Sequence, residues 1–195
     1  MIDTIVTKVK GFLLNPVETF QHSKNDDPGA VFTYFGLLLL IHAVLAALVS
    51  AIGIEAIPMY TTMMGGVGVP VVVFFVALVG GCIITVIFAA WLHLCVYLLG
   101  GRNGIMQTVK AILYGHTPRL LLGWIPVIGF IFGLWSLALG IVGIRELQEM
   151  STGKAILAVA IAVIIPLIVF ILLAAWFFIS YMIVNGIPVP PGNRV

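Results

Sequence analysis

Three of the four histidines, His42, His93 and His116, lie inside long apolar segments of the sequence. An imidazole within a membrane is costly unless it has a partner, and it can then relay protons or bind a metal ion. If each segment is a membrane-crossing helix, the three histidines lie about 9 to 17 Å from the helix ends that face the cytoplasmic side of the membrane. This spacing gives the hypothesis that they converge, near Tyr97 and Tyr114, on a polar cavity able to hold a proton or a divalent ion such as zinc. In the alternative, each histidine separately bonds a backbone carbonyl or a tyrosine hydroxyl.

His116 belongs to the stretch LYGHTPRLLL, residues 113–122, in which polar residues interrupt an apolar run. Pro118 has no backbone N–H, so we expect the helix to bend or loosen over residues 115–118. Arg119 follows directly. Its side chain either extends to the membrane surface, as long cationic side chains do, or pairs with Glu55 at the end of the first apolar segment.

The composition identifies the solvent in which these residues must be positioned. The chain has 195 residues, of which 62% are hydrophobic and 8% are charged, and its mean hydropathy is +1.24. Soluble domains carry about 25% charged residues, so the sequence predicts an integral membrane protein. The net charge of +2 is small and the basic residues are scattered, which gives no reason to expect a nucleic-acid partner.

Five segments have the roughly 20 apolar residues that a membrane-spanning helix needs. The fold class predicted is therefore an all-α, polytopic bundle of five transmembrane helices, at residues 31–54, 69–99, 105–122, 126–144 and 155–184. The second and fifth segments are longer than the membrane is thick, so they should tilt or bend, with Gly80, Gly81 and Pro166 as the points of flexibility.

The basic residues predict the orientation of these helices. Seven of them fall on one side: Lys8, Lys10, Lys24, Arg102, Lys110, Arg145 and Lys154. By the positive-inside rule, the protein lies in the cell membrane with its N-terminus cytoplasmic and its C-terminus external.

The two ends of the chain lie outside the transmembrane domain of residues 31–184. Apolar residues recur at helical spacing in residues 1–14, which predicts an amphipathic helix on the cytoplasmic surface. A polar linker completes the N-terminal region of residues 1–30, and Asp27 followed by Pro28 is typical of a helix start. Residues 185–195, rich in proline and glycine, form a short external tail.

No catalytic signature is present in the sequence. There is no nucleophile elbow, metalloprotease helix or phosphate-binding loop, and no pair of carboxylates lies within the predicted spans. We therefore expect a protein that is not an enzyme and has no firmly assigned cofactor.

Small residues form a stripe along the fourth predicted span. They recur at spacings of four and three, which places them on one helix face: Gly129, Gly133, Ser136, Gly140 and Gly143. Such a face lets another helix approach closely in lipid. The partner is either a neighbouring span of the same chain or a second copy in a homo-oligomer.

The order of these elements resembles the Yip family of Ypt/Rab-interacting membrane proteins. The resemblance is carried by FLLNPVETF near the N-terminus and by residues 114–144, with Tyr114, Thr117-Pro118, Ile125-Pro126, Leu134-Trp135 and Gly143-Ile144 in order. It implies the fold and, for a prokaryotic-type member, no firm biochemical activity. Eukaryotic members have a long cytosolic N-terminal region and are associated with small GTPases, but only about 30 residues precede the first span here. We therefore do not expect GTPase binding.

Three functional classes remain open from the sequence, of which a membrane enzyme is the least expected. The absence of a large soluble domain and the resemblance favour a membrane-organising or scaffold protein whose partners are membrane lipids and, in a homo-oligomer, further copies of the chain. The proline-broken helix and the histidines within spans favour a small transporter or channel, because discontinuous helices often surround substrate sites.

Overall fold

The computed structural model describes residues 2–52 and 68–184, and these ranges are helical with no strand. The helices in chain order are α1 (Ile2–Leu14), α2 (Pro16–His22), α3 (Pro28–Ala51), α4 (Gly68–Phe75), α5 (Gly81–Leu98), α6 (Ile105–Gly115), α7 (Thr117–Leu122), α8 (Ile128–Leu147) and α9 (Thr152–Val184). A 3₁₀ turn (Ser23–Asn25) follows α2, and a π-helical turn (Val76–Gly80) joins α4 to α5.

Within the described residues, four helical segments are long and apolar enough to cross a membrane: Pro28–Ala51, Gly68–Leu98, Ile128–Leu147 and Thr152–Ile183. The predicted third span is present as α6 and α7, which have 11 and 6 residues. The all-α polytopic membrane fold is therefore confirmed, and the count of five crossings stays a prediction that depends on α6 and α7 crossing together.

Local signals in the sequence account for several helix boundaries. Asp27 caps α3, because its carboxylate accepts a hydrogen bond from the N–H of Ala30 at 3.3 Å, and Pro28 occupies the first turn. The π-helical turn ends directly before Gly81, at the Gly80-Gly81 pair where flexibility was predicted.

The two N-terminal helices pack into the bundle as well as being amphipathic. Phe12 and Phe20 are fully buried, and their ring centroids lie 4.8 Å apart. Phe12 also stacks on Tyr114 of α6, with 4.6 Å between the centroids. Part of the apolar face of α1 is thus covered by protein, whereas Val6 on the same helix remains exposed.

One end of the bundle, which we call the basic end, gathers the α1–α2 region and the turns at residues 99–104 and 148–151. The Asn103 side chain donates to the carbonyl of Leu147 at 3.0 Å, and Lys24 forms an ion pair with Glu149. The Lys110 ammonium donates to the carbonyl of Lys24 at 2.7 Å. Lys24 and Lys110, which were predicted to lie on one side of the membrane, therefore lie at one end of the bundle.

The longest helix, α9, has its buried side chains in its first half. Ala155, Ala158, Val159 and Ala162 are buried, and the carbonyl of Ala162 accepts a hydrogen bond from the Trp91 indole at 3.1 Å. Every side chain in residues 164–179 is exposed. The second half of α9 consequently presents apolar side chains on all of its faces.

Candidate functional site

The centre of the candidate site is the break between α6 and α7, where bending was predicted. In a continuous helix the carbonyl of Tyr114 would accept from the N–H of residue 118, which is Pro118 and has none. The Thr117 hydroxyl takes that place and donates to the Tyr114 carbonyl at 2.6 Å. Because its proton is used there, Thr117 accepts from the Tyr34 hydroxyl, which lies 2.8 Å away. The carbonyl that Pro118 leaves without its helical donor therefore has a partner inside the protein.

The first turn of α7 obtains a second partner from α8. The N–H of Arg119 is one of the groups that a helix start leaves without an intrahelical acceptor. It donates to the Ser136 hydroxyl at 3.1 Å. Ser136 is thus more than a small packing residue, because it holds the start of α7 against α8.

A chain of polar contacts connects the break to the N-terminal helices. The Tyr114 hydroxyl donates to the Asp26 carboxylate and accepts from the Lys8 ammonium at 2.9 Å, and Lys8 also forms an ion pair with Asp26. Burial alone would raise the pKa of Asp26, but the hydrogen bonds from Lys8 and Tyr114 and the charge of Lys8 outweigh it. The pKa of this carboxyl therefore lies below its usual value.

A cavity of about 620 Å³ lies on the other side of the break. Its walls come from α5, α6, α7, α8, α9 and the turn at residues 123–127, and they are mainly apolar. The polar residues among them are Thr85, His116, Arg119 and Ser136. The cavity therefore combines the hydrophobic lining and few polar groups that small-molecule sites usually have.

The turn that forms one wall of this cavity is strained at Val127. Its φ of 68° and ψ of −55° are those of a classic γ-turn, and the N–H of Ile128 donates to the carbonyl of Pro126 at 2.8 Å. A β-branched residue rarely adopts a positive φ, and such strain is often found near functional sites.

Within the single chain, the small-residue stripe is closely packed at some positions and open at others. A Cβ at Gly143 would lie 2.9 Å from the Phe20 ring, and one at Gly129 would lie 2.4 Å from the carbonyl oxygen of Gly123. At Gly133 and Gly140 an added Cβ would meet no other described atom within 4 Å, and both glycines line the cavity. The backbone of Gly140 is nevertheless approached closely, since a Cβ on Gly115 would lie 3.2 Å from its nitrogen. Contact of the open positions with a second copy of the chain stays a prediction.

The three histidines within the apolar segments have separate hydrogen-bond partners. The Nδ1 atoms of His42 and His116 donate to the carbonyls of Leu120 and Ile112, at 3.2 and 2.7 Å. The Nδ1 atom of His93 lies 2.9 Å from the Thr108 hydroxyl. Among residues 2–52 and 68–184 there is no group of three side chains able to hold a metal ion. The histidines are not brought into one site, and bound zinc stays a prediction for metal analysis to test.

Arg119 lies at the cavity with its side chain exposed. It makes no ion pair with any residue in the part of the chain that the structure describes. Glu55, its predicted partner, lies outside the described residues. Arg119 therefore contributes a positive charge to the cavity wall.

The fold and this broken helix define the class of protein, which is a polytopic α-helical membrane protein. Its described residues include four long apolar helices and a discontinuous helical segment packed among them. The family model of the Yip1 domain matches residues 10–175, which is most of the chain. The chain therefore belongs to the Yip family. No curated protein and no solved structure matches it.

Proposed function

We propose that this Yip-family protein organises other membrane components as a scaffold and has no catalytic activity. The observation that supports this role is the stretch of α9 over residues 164–179, in which every side chain is exposed. In lipid, helices associate through van der Waals packing and not through the hydrophobic effect, so such a surface is free to bind a partner helix. The partner of this surface would be a second copy of this chain or another membrane protein, with membrane lipids around the rest of the bundle.

The orientation that we propose places the basic end of the bundle in the cytoplasm. Lys8 and Lys24 are bound there to Asp26 and Glu149, which holds α1 and α2 on the bundle. The N-terminal helices would then form a rigid cytoplasmic surface, and α9 would supply the contact within the membrane.

The alternative function, a small transporter or channel, was based on the proline-broken helix and on a common site for His42, His93 and His116. The structure has the break. Because each histidine has its own partner, the second ground gives less support than the exposed residues of α9 give to the scaffold. The scaffold role is therefore the one we put forward.

Site-specific photocrosslinking in native membranes tests this role. A photoreactive phenylalanine analogue at Phe170 or Phe177, both exposed on α9, should form discrete adducts with protein. The control places the analogue at Leu92, which is 1% exposed and should form none. Adducts with lipid alone at both α9 positions would contradict the proposal.

Reconstitution separates the two functions. Proteoliposomes containing the full chain should show no ion or solute flux above empty vesicles. A flux that the His116→Ala substitution abolishes would favour the transporter and overturn the scaffold role.

A further inference from the structure

One wall of the cavity beside the α6–α7 break is long enough to lie along an extended hydrocarbon chain. Its α8 wall runs from Gly129 to Gly140, which is about 16 Å at the rise of an α-helix. Gly133 and Gly140 leave open space on that wall where any other residue would place a side chain. A volume of about 620 Å³ lies within the range of sites that hold small molecules.

The chemistry of the lining has two parts. Most of the wall is hydrocarbon, for example from Phe88, Leu92 and Val163. Arg119 is the one side chain in the lining that is always charged, and none of the described carboxylates pairs with it. A cation in or near a membrane is normally compensated by an anion. The lining therefore matches a molecule with an anionic group at the end of an apolar chain.

We propose that the cavity binds one long-chain fatty acid, with its hydrocarbon chain along the α8 glycines and its carboxylate bound to the Arg119 guanidinium. A guanidinium presents paired N–H donors that match the two oxygens of a carboxylate. His116 cannot compete for this anion while it is neutral. Its Nδ1–H is used by the Ile112 carbonyl, which leaves an acceptor at Nε2.

The shared chemistry of an anionic head and an apolar chain also belongs to phospholipids, but these carry two chains. The cavity lining has one cation and one long wall with open space at its glycines, so we assign the single-chain acid. This proposal concerns a ligand of the bundle and does not depend on the scaffold role of α9.

Photolabelling of the full-length protein in liposomes tests the assignment. Three probes that carry a diazirine on the hydrocarbon chain are compared: palmitic acid, phosphatidylglycerol and the uncharged hexadecanol. Palmitic acid should label peptides from α7 and α8, and excess unlabelled palmitate should remove that labelling. Stronger labelling of these peptides by phosphatidylglycerol than by palmitic acid would overturn the single-chain assignment. Equal labelling by hexadecanol would overturn the role of the carboxylate.

Substitutions separate the two parts of the site. Arg119→Gln should lower palmitate labelling by about tenfold, because a charge-assisted hydrogen bond is lost. It should leave the labelling by hexadecanol unchanged. Gly133→Leu should reduce palmitate labelling to background by filling the cavity. Gly36→Leu is its control, because Gly36 on α3 also has open space but lies outside the cavity.

Gly140→Leu provides a second cavity-filling variant in case Gly133→Leu does not fold. Undiminished palmitate labelling of α7 and α8 in either folded variant would overturn the proposal. Loss of α9 crosslinks with palmitate labelling intact would count against the scaffold role alone.

Discussion

Replacing Thr117 by valine tests how the break between α6 and α7 is held. Valine keeps the shape of threonine but removes the hydroxyl, so the Tyr114 carbonyl loses its donor and the Tyr34 hydroxyl loses its acceptor. Both tyrosines and Thr117 are almost fully buried, and no solvent replaces these bonds. Hydrogen bonds between membrane helices are worth about 0.6 kcal/mol on average, whereas a buried group left unpaired costs about 1 to 3 kcal/mol. With two such groups, we expect a loss of about 2 to 6 kcal/mol.

The assay is SDS titration of the protein in mixed micelles, followed by tryptophan fluorescence, in single and double variants. In the Pro118→Ala background, the new N–H of residue 118 can donate to the Tyr114 carbonyl. Thr117→Val should then cost about 1 to 3 kcal/mol less than in the wild type. In the Tyr34→Phe background it should also cost less, because no tyrosine hydroxyl is left unpaired.

Equal costs of Thr117→Val in all three backgrounds would refute this reasoning. Such a result would mean that the hydroxyl neither replaces the missing N–H of Pro118 nor accepts from Tyr34. Thr117→Ser is the matched control, since it keeps the hydroxyl and should be much less destabilising.

Three further predictions concern the rest of the bundle. The pKa of Asp26 is lowered in the folded protein, so the ionised carboxylate stabilises the fold above pH 3.8. This stabilisation is lost as the pH falls through the pKa of the folded state. In Asp26→Asn, the melting temperature should therefore change less with pH across that acid range. Glu149 follows the end of α8 and has a φ of 53°. Glu149→Gly and Glu149→Ala both lose the surface ion pair with Lys24, but only glycine relieves the strain of a positive φ. The glycine variant should therefore be about 1 kcal/mol more stable than the alanine variant. Equal melting temperatures would contradict it. Gly143→Ala should destabilise by about 1 to 3 kcal/mol through contact with Phe20 and Ala111, while Gly133→Ala should not destabilise. The reverse order would be inconsistent with the cavity.

Features of the fold that depend on neighbouring residues in the chain could be predicted from the sequence. Asp27-Pro28 indicates the start of α3, and Pro118 indicates the break between α6 and α7, because capping and the missing N–H act within one helical turn. Hydropathy identifies the long apolar helices in the same way. These signals need no knowledge of tertiary structure.

The arrangement of the site could not be predicted, because it depends on which way side chains point. Matching depth suggested that His42, His93 and His116 meet, but depth along a helix does not determine the direction of a side chain around it. The same uncertainty applied to the glycine stripe, whose middle faces a cavity while Gly143 is packed. Burial of Phe12 against Tyr114 joins residues about a hundred positions apart, and the amphipathic pattern of α1 fits lipid or protein equally well. The donor role of Thr117 had a readable signal, a hydroxyl residue directly before a helix proline.

The central claim is that α6 and α7 together form a fifth crossing, which places the basic end and the turn before α8 on opposite sides of the membrane. Cysteine labelling from each side tests it most directly, in a protein whose Cys82 and Cys95 are replaced by serine. Single cysteines are placed at Asn103, in the turn at the basic end, and at Val127, which is 86% exposed in the opposite turn. We predict that an impermeant maleimide labels Val127→Cys only from outside the cell and Asn103→Cys only from the cytoplasmic side. Labelling of both positions from the same side would contradict the five-crossing account.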